Sequence, residues 1–194
     1  MLSTADLKTK IEAAIPGTTL KLVRESLLLE NPNDLLKVAR FLKESDLGLD
    51  YLSSVTGADY LTYLESVYHF YSMAQKSGPV VLRVRTDRQN PQIPSLTALY
   101  RGAEFQEREA YDMYGIVYEG HPDLRRVFMW EGFEGWPMRK DYQQEDSETL
   151  EMADVAWLEN QGVKVPEPIK AKAEELEKQG KRALAQKPGQ PEPQ

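Results

Sequence analysis

The chain has no cysteine. That excludes disulfides, thiolate-ligated zinc, cysteine-held iron–sulfur clusters and any cysteine nucleophile, and it fits a reducing compartment. Histidine is nearly missing as well: His69 and His121 are too few for a histidine-rich metal site. No apolar run approaches the roughly 18 residues that a membrane helix needs, and no signal-peptide pattern opens the chain. Positive charge is in deficit, with 24 Lys and Arg against 31 Asp and Glu; the net charge of −7 argues against a general nucleic-acid binder. Glycine-rich phosphate loops are missing, both the G-x-G-x-x-G form and the Walker form with its lysine, and so is a nucleophile elbow. What remains is a 194-residue chain, long enough to bury a core without covalent staples.

The pattern of the elements predicts an α+β fold: a mixed sheet packed with helices, followed by an irregular, partner-binding C-terminal extension. Thr4 to Ala14 reads as a helix capped by Ser3 or Thr4 and stopped by Pro16-Gly17. Thr19 to Glu30 reads as one strand of ragged alternation, and a second helix follows Asn31-Pro32-Asn33-Asp34 to about Glu44. Strands are expected over Leu49 to Thr56, within Leu61 to Met73 and over Val80 to Arg85, with a turn or bulge at Gly57-Ala58-Asp59 and a break at Gly78-Pro79. On the last strand Arg83 and Arg85 point to the surface side. Ser95 is placed to cap a short helix over Leu96 to Tyr100. The expected division is a core domain over 1–120, an extended irregular docking segment over 121–165, and a C-terminal helix with a disordered tail over 166–194. Residues 143–163 carry six acids and no lysine or arginine. The helix pattern from Pro166 to Lys187 has only a narrow apolar stripe, and Pro188 to Gln194 reads as the disordered part.

The chain is organised around Glu107 to Tyr142. Ala103 to Tyr114 should be a helix, without proline or a β-branched run, closed by Gly115 in a left-handed cap. Glu104, Arg108 and Asp112 stand at i, i+4 spacing and predict a charge ladder. Phe105, Ala110 and Met113 predict an apolar strip with Glu109 inside it, so that Glu109 needs a cation from among Arg125, Arg126, Arg139 and Lys140. Glu107 and Glu109 lie about 200° apart round the helix and cannot form a carboxylate dyad. Past Gly115 regular pattern fades into a long segment, and such segments usually serve function or are ordered by a partner. Trp130, Phe133 and Trp136 among arginines suit an interface core; folding back on their own sheet is the alternative. His121 beside Asp123 has the makings of a general base, but a histidine ending a strand and capping the Pro122 turn is the preferred reading.

The spacing Glu107-Arg108-Glu109-x-x-Asp112-Met113-Tyr114, then His121, Arg125 and Val127, resembles the signature of the 30 kDa subunit of respiratory complex I. That family is also called the C subunit of the proton-pumping NADH:quinone oxidoreductase, and the J subunit in cyanobacterial-type complexes. Gly135-Trp136-Pro137-Met138-Arg139-Lys140-Asp141-Tyr142 resembles the family's Gly-x-Pro-Leu-Arg-Lys-Asp-Tyr, and Leu49 to Leu52, Thr56 to Tyr60 and Pro94 to Thr97 are similar upstream. The resemblance implies a non-catalytic structural subunit in the peripheral arm, on the cytoplasmic, matrix or stromal face of an energy-transducing membrane. It implies docking on the large hydrogenase-like 49 kDa subunit, membrane contact only through the complex, and a place in the assembly that carries electrons from NADH to quinone. It implies no cofactor in this chain; FMN, iron–sulfur clusters and quinone would belong to partner subunits. Carried onto this sequence, the signature and expected interface residues are Glu107, Arg108, Glu109, Asp112, His121, Asp123, Arg125, Arg126, Trp136, Arg139, Lys140 and Asp141. A subunit of a related ferredoxin- or hydrogenase-type membrane complex, a solitary interaction module, and a free-standing enzyme using His121 stay open as alternatives.

Overall fold

Helix α1 (Thr4–Ala14) starts where Ser3 accepts the Asp6 N–H at 3.2 Å, and it buries Leu7 and Ile11, one turn apart. In the computed structural model residues 3–130, 132–142, 152–160, 162 and 164–185 are described. The chain divides into two compact units, Met1–Gln143 and Gln144–Gln194. Where one ragged strand was expected there are two, β1 (Leu20–Val23) and β2 (Ser26–Leu29), paired antiparallel with Leu20 opposite Leu29. Arg24 turns the chain with a left-handed φ of 55°, and this reversal shifts the phase of the pattern, which is why its alternation looked irregular. Pro32–Asp34 forms a single 3-10 turn, and α2 (Leu35–Glu44) buries Leu35, Val38, Ala39 and Leu42, an i, i+3, i+4, i+7 stripe.

Three long strands follow: β3 (Tyr51–Asp59), β4 (Tyr63–Ser72) and β5 (Ser77–Asp87). The turn expected at Gly57-Ala58-Asp59 is strand; β3 runs through it to pair Asp59 with Leu64. The five-stranded sheet has the order β1-β2-β5-β4-β3, with β2 parallel to β5 and the other pairs antiparallel, so it is mixed. Leu64, Tyr68 and Phe70 of β4 and Leu82 and Val84 of β5 are fully buried and share one core with Ile11, Leu35 and Leu42. Side chains of this kind each contribute roughly 1.5–3 kcal/mol on burial. On the other sheet face Glu65 is also fully buried, with Arg83 Nε at 2.6 Å and Arg85 Nε at 3.1 Å from its two oxygens. Arg83 is therefore not a simple surface position: it neutralises a carboxylate taken out of water.

A second, two-stranded sheet pairs β6 (Gln92–Pro94) with β7 (Val117–Glu119) in parallel. The chain between them and the segment after β7 hold the site. The helix expected over Leu96 to Tyr100 is one turn only, closed by the Tyr100 N–H on the Leu96 carbonyl at 2.8 Å. Ser95 receives the Thr97 N–H at 3.1 Å, but its hydroxyl donates to Glu107 at 2.6 Å, so the residue serves a tertiary contact rather than a helix.

The C-terminal unit contains two helices, α4 (Met152–Asn160) and α5 (Glu167–Ala185). Val155, Val165 and Ala173 form its buried apolar cluster, with Met152 and Leu158 packed against it, and Lys170 pairs with Glu159. α5 falls within the helical pattern of the sequence; α4 lies in the acidic stretch, where no element was expected. The tail from Pro188 lies outside the described residues. Among the described residues no helix is long and apolar enough to cross a membrane.

Candidate functional site

Helix α3 (Ala103–Tyr114) has the predicted bounds, and Gly115 closes it at φ 74° with its N–H on the Tyr111 carbonyl at 2.8 Å. Its buried face differs from the expected one. Phe105 is 64% exposed and Glu109 is exposed, whereas Glu107, Arg108 and Asp112 are buried beside Ala103 and Ala110. Glu109 has no cationic partner among the described residues. The Glu104–Arg108–Asp112 ladder does not form either, because the last two side chains are drawn off to other segments.

Glu107 accepts from the Ser95 hydroxyl at 2.6 Å and from the Leu96 N–H at 2.7 Å, and among the described residues no cation pairs with it. Burial pushes its carboxyl up from 4.5 to about 7, against the lowering pull of those two bonds. Asp112 is equally buried but far better supplied. Arg126 Nη1 stands 3.0 Å from Oδ1, and the backbone N–H groups of Val127, Phe128 and Met129 donate to Oδ2 at 2.9, 2.7 and 3.0 Å. Burial acts to raise this carboxyl, but the four donors together hold it below the usual range. Arg108 donates to the Arg125 carbonyl at 3.2 Å and has the Asp123 carboxylate 3.9 Å away.

The same helix end fastens the following chain. The Met138 N–H donates to the Met113 carbonyl at 3.1 Å, and Arg139 Nε to the Tyr114 carbonyl at 2.7 Å. Burial, and next the neighbouring Arg88 charge, lower the Arg139 pKa. Trp136 packs over Gly115 and edge-on to Tyr111, with the Arg126 guanidinium 4.5 Å from its ring centre. A Cβ at residue 115 would lie 2.5 Å from the indole. Gly115→Ala is therefore expected to cost roughly 1–2 kcal/mol from the left-handed backbone alone, and to expel Trp136, seen as a red-shifted fluorescence of that residue. Farther on, the Lys140 N–H donates to Asp59 at 2.8 Å; Asp59 also receives the Leu61 N–H at 2.6 Å and pairs with Arg88. Arg88 reaches on to Asp141 at 2.5 Å.

His121 fills both of its ring positions with backbone. Asp123 donates its N–H to Nδ1 at 3.0 Å, so Nε2 carries the proton and donates to the Glu104 carbonyl at 2.9 Å. This is a turn-capping histidine. The Asp123 carboxylate turns instead to Arg125 at 2.9 Å.

Of the residues chosen from sequence, Arg108, Asp112, Asp123, Arg125 and Arg126 gather in one network, Lys140 and Asp141 join a second one at Asp59 through the Lys140 N–H and Arg88, and Arg139 is tied to the Tyr114 carbonyl. Glu107 stands apart in the core. Sequence reasoning missed Ser95, Asp59 and Arg88; the Pro94 to Thr97 and Thr56 to Tyr60 stretches held signals for the first two, but nothing pointed to Arg88. Among the described residues no group of three or more His, Cys, Asp or Glu is placed to hold a metal ion. The segment leaves large apolar side chains outside: Val127, Phe128, Trp130 and Met138 are 40%, 59%, 68% and 55% exposed.

The family profile described as respiratory-chain NADH dehydrogenase, 30 Kd subunit, matches residues 29–148. The chain is 47% identical over 115 residues to the second C subunit of the NADH-quinone oxidoreductase of Rhizobium meliloti, covering 57% of this chain and 62% of that relative. The chain thus spans less than two thirds of that protein's length. It is 38% identical over 147 residues to the NADH-quinone oxidoreductase C subunit of Roseiflexus sp., covering 72% of this chain and 84% of the relative. Among solved structures, a chain of the membrane-bound sulfane sulfur reductase, an archaeal respiratory membrane complex, has a similar fold: TM-score 0.55, 22% identity, 81% of this chain and 89% of that one.

Proposed function

The chain belongs to the family of the 30 kDa subunit of respiratory-chain NADH dehydrogenase, and from that premise we propose that it is a docking subunit in the peripheral arm of a proton-pumping NADH:quinone oxidoreductase. It performs no redox step itself. It packs on the large hydrogenase-like subunit and holds cluster-bearing and quinone-site subunits in register, while FMN, iron–sulfur clusters and quinone reside in those partners. The expected interface residues from Glu107 to Asp141 then have two tasks: most fix the backbone, and the apolar side chains between them meet the partner.

The observation that carries this reading is the pairing of rigid backbone with exposed apolar groups. Phe128 and Trp130 stand largely in solvent beside Arg126, on a backbone whose N–H groups at 127, 128 and 129 all converge on Asp112. Large exposed aromatics on a fixed frame, next to arginine, are the composition of interface hot spots.

The test is affinity capture of the tagged chain from its native membranes in mild detergent, with subunits identified by mass spectrometry and iron counted. The expected result is recovery with iron–sulfur subunits, a flavin subunit and membrane subunits. A Phe128→Ala, Trp130→Ala double variant is expected to keep its stability within about 0.5 kcal/mol, since both side chains are exposed. It should bind its partner about thirtyfold more weakly, the size of a hot-spot loss of about 2 kcal/mol. Recovery of the wild type alone and free of iron would overturn the reading, and quinone reduction driven by ferredoxin but not by NADH would overturn its NADH-linked part.

A further inference from the structure

Between the edge of β3 and α3 runs a groove of about 440 Å³. β3 is the last strand of its sheet, so among the described residues one of its edges has no strand partner. Val55, Ala110, Met113, Tyr114 and Met138 give its lining apolar area beside serine, threonine and glutamine side chains, and Glu109 lines it as well. The carboxylate is exposed, has no ion-pair or hydrogen-bond partner among the described residues, and is close enough to Tyr114 to help raise that hydroxyl's pKa. Two arginines of the adjoining segments are committed elsewhere: Arg108 to the carbonyls of Arg125 and Arg126, Arg139 to the carbonyl of Tyr114. The strand edge itself is closed at its centre, because Gln106 Oε1 accepts the Val55 N–H that an added strand would need.

These features select one kind of occupant. An anion is repelled by Glu109, and a single carboxylate is too few ligands for a metal ion. An added β-strand is blocked at Val55. A long cationic side chain matches on both counts, its methylene stem on the apolar part of the lining and its head on the carboxylate. We infer that this groove seats a lysine or arginine side chain from a neighbouring subunit, with its cation paired to Glu109. The inference rests on the docking reading above and extends it to the groove between β3 and α3.

The test uses the assembled complex. Because the chain has no cysteine, Glu109→Cys gives it a single thiol, to which a photoreactive maleimide is attached before capture and irradiation. The expected cross-link joins residue 109 to a peptide of another subunit with a lysine or arginine at the point of attachment. Glu109→Lys should cut recovery of that subunit at least tenfold, a charge reversal of the partner's cation should restore it, and Glu44→Lys on α2 should have no effect. If the complex assembles normally but the thiol at 109 stays as accessible as in the free chain, the groove proposal falls while the docking reading stands. A cross-link only to a second copy of this chain, or to a peptide without a basic residue, overturns it as well. Failure of the wild-type chain to bring down any partner would instead sink the docking reading.

Discussion

Glu107→Gln is expected to make the protein more stable at pH 8 and no more stable at pH 5. The native carboxyl is buried with no cation paired to it among the described residues, and its pKa rises from 4.5 to about 7. Between those two values the folded chain holds a proton that the unfolded chain has lost. Stability therefore declines as pH rises through this window, is fully present below pH 4.5 and levels off above about 7. The whole effect is roughly 3 kcal/mol. Glutamine keeps the shape and the bonds: its carbonyl takes the Leu96 N–H, and its amide donates to the Ser95 oxygen, since a hydroxyl serves either way. It carries no charge to desolvate, so the gap between variant and wild type should open from pH 5 to pH 8. Urea unfolding followed by tryptophan fluorescence in a Trp157→Phe background reports on the N-terminal unit, which keeps Trp130 and Trp136. A gap that stays constant across pH would show that the charge of Glu107 is compensated in the fold.

Asp112→Ala should act in the opposite sense and on a different part of the molecule. Here the charged form is the favoured one, held by Arg126 and three backbone donors, with its pKa below the usual range. Its contribution is present above the unfolded value of about 4 and is lost as pH falls through the lower folded value. Removing the carboxylate leaves a largely buried guanidinium and three N–H groups without their acceptor, a loss of about 3–5 kcal/mol. The loss falls first on the segment that Asp112 fastens. The amide protons of Val127, Phe128 and Met129 should exchange at least a hundredfold faster, while those of β4 and β5 change far less. Equal acceleration everywhere would mean that the clasp is part of one cooperative core.

These two acids also show where sequence reasoning held and where it turned. Local signals fixed α3 and its glycine cap, the stripe of α2, and the mixed sheet. They misassigned the buried face of α3, because hydrophobic periodicity ranks Phe105 inside and Glu107 and Asp112 outside. Burial here follows the supply of donors: Ser95 and Leu96 reach Glu107 from 11 or 12 residues away, and Arg126 with Val127 to Met129 reach Asp112 from 14 to 17. A helical pattern has no access to partners that distant. The β1–β2 reversal was missed for a related reason, since a left-handed arginine leaves no glycine or asparagine to mark the turn. The family signature was legible throughout, and Arg108, Asp112, Arg125 and Arg126 from it form the network, even though their individual partners could not be read.

The clasp on Asp112 has a consequence for the kinetics of assembly. A free segment of this composition would lose on the order of 1–2 kcal/mol of backbone entropy for every residue ordered on binding. Here Val127 to Met129, Trp136 and Met138 to Lys140 are already fastened within the chain. Docking then orders only side chains, at about 0.5–1.5 kcal/mol each. Encounter should proceed in one step, within the range of roughly 10⁵–10⁷ M⁻¹s⁻¹ for preformed surfaces, and variants of Trp130 or Phe128 should shorten the lifetime of the joined state rather than slow its formation.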